Sequence, residues 1–382
     1  MPDVVVSGGG PAGAFAALVL ARAGARVVLV DRDTFPRHKL CGDTLNPGAI
    51  AVLRQAGLAD PVEAHGLPLD GMVVTGSGGV RIRGTYGGGM VGRAWARHTL
   101  DAHLLGAAAD AGVDVRTGVR VVRPSFDATG RVDGIVTRQS SHGEETCRAR
   151  WTIAADGRRS PLALAAGLIA HPRWPRRWAI GTYVEGVTEV GAFGEMHVRA
   201  GHYIGLAPAA DGCANVCLVT GAREHYEDPG ARLWGALRQD PMLRDRFAMA
   251  RQVAPVVTLG PLAVDARAPG IPGLLLAGDA AGFVDPMTGD GLHLALRGAL
   301  LAADVLVRQQ GVTDERVVRH LADARSRELG GKQRFNRVLR RLVGWPLGLR
   351  VGALGAACLP AALRHIIATA GDVGVAARQA TV

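Results

Sequence analysis

Residues 4–13, Val-Val-Val-Ser-Gly-Gly-Gly-Pro-Ala-Gly, decide the fold, together with Asp31 just after the apolar run that ends at Val30. Val4 to Val6 read as a short buried strand. Gly8 permits a tight turn, Gly10 lets the backbone approach a pyrophosphate, and Gly13 lets the next helix lie close on the sheet. Phe15 to Ala23 is an Ala/Leu-rich helix whose free N–H groups and positive dipole end face the phosphates. Asp31 stands 18 residues after Gly13, where a carboxylate accepts the hydroxyls of an adenosine ribose. Asp31 and its neighbour Arg32 are both expected at the cofactor. Glycines in this pattern alone are weak evidence. Strand, glycines, helix, strand and acid in this order predict a dinucleotide site.

Outward from that stretch, apolar runs alternate with helical patterns, as a doubly wound α/β sheet requires. Residues 99–112 predict a helix closed by Gly112, with strands at 113–115 and 119–122 and a hairpin around 127–130. Trp151 to Ala155 is a buried strand ending at Asp156-Gly157, and Leu274 to Gly278 repeats the pattern before Asp279. The expected architecture is a Rossmann-like domain built from 1–65, 98–169 and 266–310. A β-rich substrate domain, 66–97 and 170–265, is inserted twice, and 311–382 form a helical C-terminal segment. Gly87 to Gly92 also satisfies G-x-G-x-x-G but follows no clean apolar strand. No dedicated NAD(P)H domain is visible.

The chain has 382 residues, 48% of them hydrophobic, enough for one large or two interleaved domains. The formal charge is +10, and Lys occurs only at 39 and 332. The excess charge reads either as a solvated basic surface or as attraction to anionic lipid or a phosphorylated substrate. With 4% aromatic residues and no basic–aromatic motif, nucleic acid is not an expected partner. Cysteines 41, 147, 213, 217 and 358 form no CxxC and no paired framework, and no metal site is expected. The first strand starts at residue 4, so no signal peptide is expected and the protein reads as cytoplasmic.

Two later motifs favour a flavin. A buried strand delivers Asp279 to the carboxyl end of the sheet, where it can accept sugar-type hydroxyls. Asp285-Pro286-Met287-Thr288-Gly289-Asp290-Gly291 then leads into a long helix from Leu292 to Val307. The N-terminus of that helix offers N–H groups to a ring edge that becomes anionic on reduction. Gly278, Asp279, Gly289, Asp290, Gly291 and Leu292 are therefore expected at FAD.

On these residues the chain resembles the glutathione-reductase-type flavoproteins of the aromatic hydroxylase superfamily and, within it, the geranylgeranyl reductase family. Gly8 to Gly13 with Asp31, Ala155-Asp156-Gly157-Arg158-Arg159-Ser160, and Gly278 to Gly291 carry the likeness, with Asp290 where the reductases usually have Glu. Arg97-His98-Thr99-Leu100-Asp101 is similar to the superfamily's Arg-x-x-Leu-Asp helix start. The resemblance implies that Arg97, Asp156 and Gly157 lie at FAD. Pro36-Arg37-His38-Lys39-Leu40-Cys41-Gly42 matches the prenyl reductases' Pro-x-x-x-x-Cys-Gly, which implies that Cys41 lies by the isoalloxazine. Its neighbours Arg37, His38 and Lys39 favour a thiolate. Tyr203-Ile204-Gly205-Leu206-Ala207-Pro208 keeps Tyr and Pro of a Tyr-x-Trp-x-Phe-Pro signature but replaces both large rings, which reshapes the pocket.

The expected activity is reduction of a double bond in a lipidic, isoprenoid or polyketide-like substrate. Catalytic residues are Cys41, Tyr203 and His293, and an external donor, NAD(P)H or a reduced carrier, supplies electrons. The alternative is hydroxylation of an aromatic or lipidic phenol, with His197, His202, Tyr203 and His293 as candidate bases. Halogenation is set aside because Trp174 to Ile180 lacks the halogenases' Trp-x-Trp-x-Ile-Pro spacing. A non-catalytic flavin scaffold leaves three cofactor motifs without a use. The stretch 332–350 alternates basic and apolar residues at helical spacing. It reads either as a helix packed on the FAD domain or as peripheral contact with an anionic membrane.

Overall fold

The computed structural model describes residues 1–76, 79–139, 142–172, 176–221, 228–308 and 311–343, with Thr369 and Gly371. In chain order the elements used below begin with β1 Val4–Ser7, α1 Pro11–Arg22, β2 Val27–Val30 and α2 Pro47–Gln55. Next come β3 Gly71–Thr75, β4 Arg81–Thr85, α3 Arg97–Asp110 and β5 Asp114–Arg116. The meander β6 Arg120–Phe126, β7 Val132–Gln139, β8 His142–Arg148 precedes β9 Trp151–Ala154. Then follow β10 Trp178–Glu185, β11 Phe193–Arg199, β12 His202–Pro208, β13 Ala214–Thr220 and α4 Pro229–Gln239. The last are β14 Gly270–Ile271, β15 Leu274–Leu276, α5 Gly291–Arg308 and α6 Asp314–Val343.

The first sheet has the order β14-β15-β9-β1-β2-β5 and is parallel except at the β14/β15 edge. Its four central strands, β15, β9, β1 and β2, are fully buried and mostly apolar, as a sheet covered on both faces demands, while the edge strand β5 is exposed. One face packs on α1, α3 and α5 through Phe15, Leu18, Leu104 and Leu296; the other lies against Val121, Ile135 and Leu162. Two glycines set the front turn. Gly8 has φ +104°, and a Cβ there would meet the Ala155 carbonyl oxygen at 2.6 Å. At Gly13 a Cβ would lie 1.7 Å from the Gly8 carbonyl oxygen, so only hydrogen lets α1 seat on the turn.

Both β-rich stretches join a single eight-stranded sheet. Its path runs from a short edge strand at 251–252 through β10-β13-β12-β11-β3-β4, with 257–259 also paired to β10. The early chain enters through the parallel pairing of β3 with β11, Gly71 opposite Phe193. Alternation divides the faces. Ile180, Ile204, Val216 and Leu218 pack under Leu233 and Leu237 of α4. Ala179, Met196, Tyr203 and Val219 face the first sheet's loops, meeting Leu40, Phe283 and Met287. The space between that face and the dinucleotide turn is where a site can form. Gly87 to Gly89 turn the chain from β4 into a strand at 92–94, not into a helix, so this second glycine run lacks the form of a nucleotide site.

Candidate active site

The dinucleotide groove is built from the front turn, residues 31–43, α3 and the turns after β9 and β15. Asp31 accepts hydrogen bonds from Gly9 N–H (2.6 Å) and Asp33 N–H (2.8 Å). Each oxygen keeps a second lone pair for a ligand hydroxyl. Asp156 accepts from Ser7 Oγ at 2.8 Å, and burial pushes its carboxyl up to about 6. Gly157 and Gly278 have φ +87° and +59°; a Cβ at Gly278 would strike Ala12 on α1, which brings the Asp279 turn onto the helix.

Cations crowd this groove. The Arg37 guanidinium lies 3.3 Å from where a Gly10 Cβ would stand, and its buried Nε has no hydrogen-bond partner among the described residues. Lys39 Nζ comes within 3.8 Å of a Cβ placed on Gly157. Burial, and next the Arg97 charge, push its ammonium down to about 8. Arg158 is lowered as well, by burial, while Asp279 pulls the other way. An orphaned guanidinium donor, an ammonium strained toward neutrality and a helix N-terminus that only glycine leaves open are what a diphosphate relieves. The residues present therefore fit a flavin dinucleotide.

Cys41 is half-buried beside the eight-stranded sheet, where Asn215 Nδ2 donates to its carbonyl. Burial pushes its thiol up, Arg97 opposes and Asp43 reinforces the rise. The expectation of a thiolate fostered by three basic neighbours is thus corrected. Arg37 turns to Asp101 and Asp33, His38 is exposed beside the His98 ring, and Lys39 reaches over Gly157. The cation whose charge opposes the rise at the sulfur is Arg97. Asp101, fully buried, holds the same guanidinium at both ends, accepting from Nε at 3.0 Å and from a terminal nitrogen at 3.1 Å. Asp101 thus fixes the direction of the Arg97 guanidinium beside the Cys41 loop.

The matrix of known proteins agrees with this groove. The family described as FAD binding domain matches residues 1–181. A menaquinone reductase of Mycolicibacterium smegmatis is 30% identical over 344 residues, 82% of this chain and 78% of that protein. Digeranylgeranylglycerophospholipid reductase 2 of Methanopyrus kandleri is 31% identical over 329 residues, covering 79% and 76%. The chain belongs to the geranylgeranyl reductase family of FAD-dependent oxidoreductases. Among solved structures, the myxobacterial chondrochloren halogenase CndH superposes with a TM-score of 0.81 at 25% identity, over 87% of this chain and 81% of that one. Reductases and halogenases thus share this scaffold.

Within this reductase-family chain several expected site residues have other work. The Tyr203 hydroxyl donates to Asp285 Oδ1 at 2.7 Å, and Arg177 bonds the other oxygen at 2.7 Å. Burial, and next Asp285, raise the phenol well above its ordinary value. Tyr203 thus pins β12 to the loop before α5. His197 lies opposite Ile204, on the face under α4, between Thr75 Oγ1 (2.9 Å) and Glu195 (3.0 Å). That removes it from the flavin side. His202 is lowered by burial and by Arg232. His293 is buried in the first turn of α5.

The Asp290 carboxylate is buried and held within the protein. It accepts from Thr288 Oγ1 (2.5 Å) and Asn336 Nδ2 (2.8 Å), with Lys332 Nζ at 3.4 Å. Lys332 is therefore an inward anchor of α6, a correction to its place on a basic membrane-facing stripe. Leu292 joins the helical core, and Arg32 is exposed with Asp33 at 3.6 Å. For Leu292 only the backbone can serve the cofactor. Gly289 and Gly291 remain at the α5 entrance, close to Thr44 and Phe283. Residues 344–350, Trp174, Pro175 and Cys358 lie outside the described residues. Among the described residues no helix is long and apolar enough to cross a membrane, and no acidic, His or Cys group is arranged to hold a metal.

Sequence reasoning did not single out Asp43, Tyr183, Asn215 or Arg158. Asp43 directly follows the Pro36–Gly42 run, which was signal enough to ask what it holds. Tyr183 and Asn215 sit on strands where alternation predicts a face but not a partner.

Proposed function

We propose that the chain reduces a carbon–carbon double bond in a hydrophobic isoprenoid- or polyketide-like substrate. When bound in reduced form, FAD would supply hydride chemistry to one carbon of that bond. Cys41 gives its thiol proton to the other carbon, and Arg97, held by Asp101, stabilises the sulfur anion left behind. The observation that carries this reading is the Cys41–Arg97–Asp101 arrangement. Desolvation favours the neutral thiol before the step, and the Arg97 charge, fixed by Asp101, offsets the sulfur anion after it. Ala179, Met196, Val219, Leu40 and Phe283 give the facing surfaces an apolar character suited to a lipidic chain. Arg37, Lys39 and Arg158 would hold the diphosphate, Asp31 and Asp279 the sugar-type hydroxyls. Electrons come from NAD(P)H or a reduced carrier in solution, since the described residues show one dinucleotide turn of the strand–glycine–helix form.

Hydroxylation is the second reading, supported by the halogenase likeness, because halogenases share the scaffold. Mass spectrometry of a prenyl-quinone and polyprenyl panel, with reduced enzyme under nitrogen and under air, separates the two. Gain of two hydrogens under both atmospheres supports reduction. Gain of one oxygen, under air alone, refutes it.

A further inference from the structure

We propose that Asp43 is the positioning residue of the Cys41 loop, fastening that loop through one buried carboxylate to the substrate-side sheet and to α3. Asp43 is 1% exposed and has φ 56°, a left-handed conformation uncommon for any residue but glycine. Three donors from separate elements converge on it. The Tyr183 hydroxyl on β10 and Asn215 Nδ2 on β13 (2.8 Å) donate to Oδ2, and Arg97 N–H at the start of α3 donates to Oδ1 (3.2 Å).

The same Asn215 amide also donates to the Cys41 carbonyl at 2.8 Å. Leu40 packs where a Gly181 Cβ would stand, at 2.5 Å. Positions 40, 41 and 43 are thus each tied to β10 or β13, and Asp43 alone also reaches the helix that carries Arg97. A plain helix cap would need the Arg97 N–H bond and neither of the other two. What the three bonds share is the separation between the Cys41 sulfur, the Arg97 guanidinium and the sheet face against which substrate would lie.

This inference rests on the reading of Cys41 as proton donor, so its test uses thiol chemistry that needs no substrate. The FAD-loaded protein is treated with iodoacetamide across a pH series, and alkylation of each cysteine is followed by peptide mass spectrometry, with Cys147 as internal reference. Asp43→Asn has one acceptor oxygen and cannot satisfy donors on both sides. It is expected to speed Cys41 alkylation about tenfold, the scale of one lost hydrogen bond to a buried charge. It also moves the pH profile to lower pH, because the Asp43 charge no longer opposes the thiolate. Tyr183→Phe keeps the charge and is expected to raise the rate about threefold without moving the profile. Turnover in both variants falls through kcat more than KM.

Cys41 alkylation with the wild-type rate and pH profile in both variants overturns the proposal. If Asp43→Asn fails to retain FAD, Tyr183→Phe decides, and an unchanged rate overturns it. A shifted alkylation pattern with no double bond reduced in any substrate upholds the positioning role while refuting the reductase reading.

Discussion

Asp290→Ala is the substitution whose cost follows most directly from the geometry. The carboxylate and its partner Lys332 are almost fully enclosed, with side-chain exposures of 2% and 6%. One oxygen accepts from Asn336 and faces the Lys332 ammonium; the other accepts from Thr288. Truncation leaves an enclosed ammonium without its carboxylate, a change that costs about 3–5 kcal/mol when a buried pair is broken from one side. Lys332→Met should cost about 1–2 kcal/mol, because Asp290 keeps two neutral donors. The double variant should then be more stable than the sum of singles by about 1–3 kcal/mol. Guanidinium unfolding of the FAD-loaded protein, read by near-UV circular dichroism, measures all four corners of the cycle. Asp290→Ala is also expected to release flavin at lower denaturant than it unfolds the sheets, since Asp290 immediately precedes α5. A loss below about 1 kcal/mol, or strict additivity in the double variant, refutes the buried-anchor argument.

Gly13→Val should yield a colourless protein that FAD does not reconstitute, because its Cβ overlaps the Gly8 carbonyl oxygen; a flavin absorbance band in the purified variant is the contrary result. Cys41→Ser should keep FAD and lose turnover by about 100-fold, the scale of general-acid catalysis, as measured on whichever panel substrate gains two hydrogens. FAD affinity should weaken as pH rises above about 8, where unliganded Lys39 loses its proton, and binding near that pH should take up a proton. The dependence follows from the ammonium being lowered in the empty groove and restored by a diphosphate, and is bounded at about tenfold per pH unit. Calorimetry in two buffers of different ionisation enthalpy detects the uptake, and Lys39→Met should abolish it. Arg334, Arg337 and Val338 are exposed at helical spacing on α6, and co-sedimentation with anionic vesicles that salt reverses is expected if this face meets a membrane; no sedimentation at low salt refutes it.

The nucleotide-binding frame was legible because its demands are local. Gly8 and Gly13 answer contacts made within a few residues of chain or directly across one strand, and four apolar runs announce the buried parallel strands. The substrate-side sheet was legible as β-rich character, though α4 is a helix inside a stretch with few helical periods. What stayed hidden was the destination of polar side chains. Asp290 reads as a cofactor residue from its motif, yet its carboxylate is drawn to Asn336 and Lys332, which the sequence places more than forty residues later. Tyr203 kept a family position while its hydroxyl was taken by Asp285, 82 residues away. The basic run beside Cys41 suggested a local field, but in the fold three of its members point elsewhere and the effective cation arrives from α3.

The parallel pairing of β3 with β11 has a consequence during synthesis. It joins residues 122 positions apart, and β3 has no other partner in that sheet except the short hairpin strand β4. At 5–20 residues per second the ribosome leaves this two-stranded ribbon waiting for roughly 6–24 s before β11 has been made. Over that interval Val73, destined for burial, and an open edge of main-chain donors and acceptors face solvent or a chaperone. Yield in a heterologous host should therefore depend on translation rate and on chaperone supply more than on the stability of the finished protein.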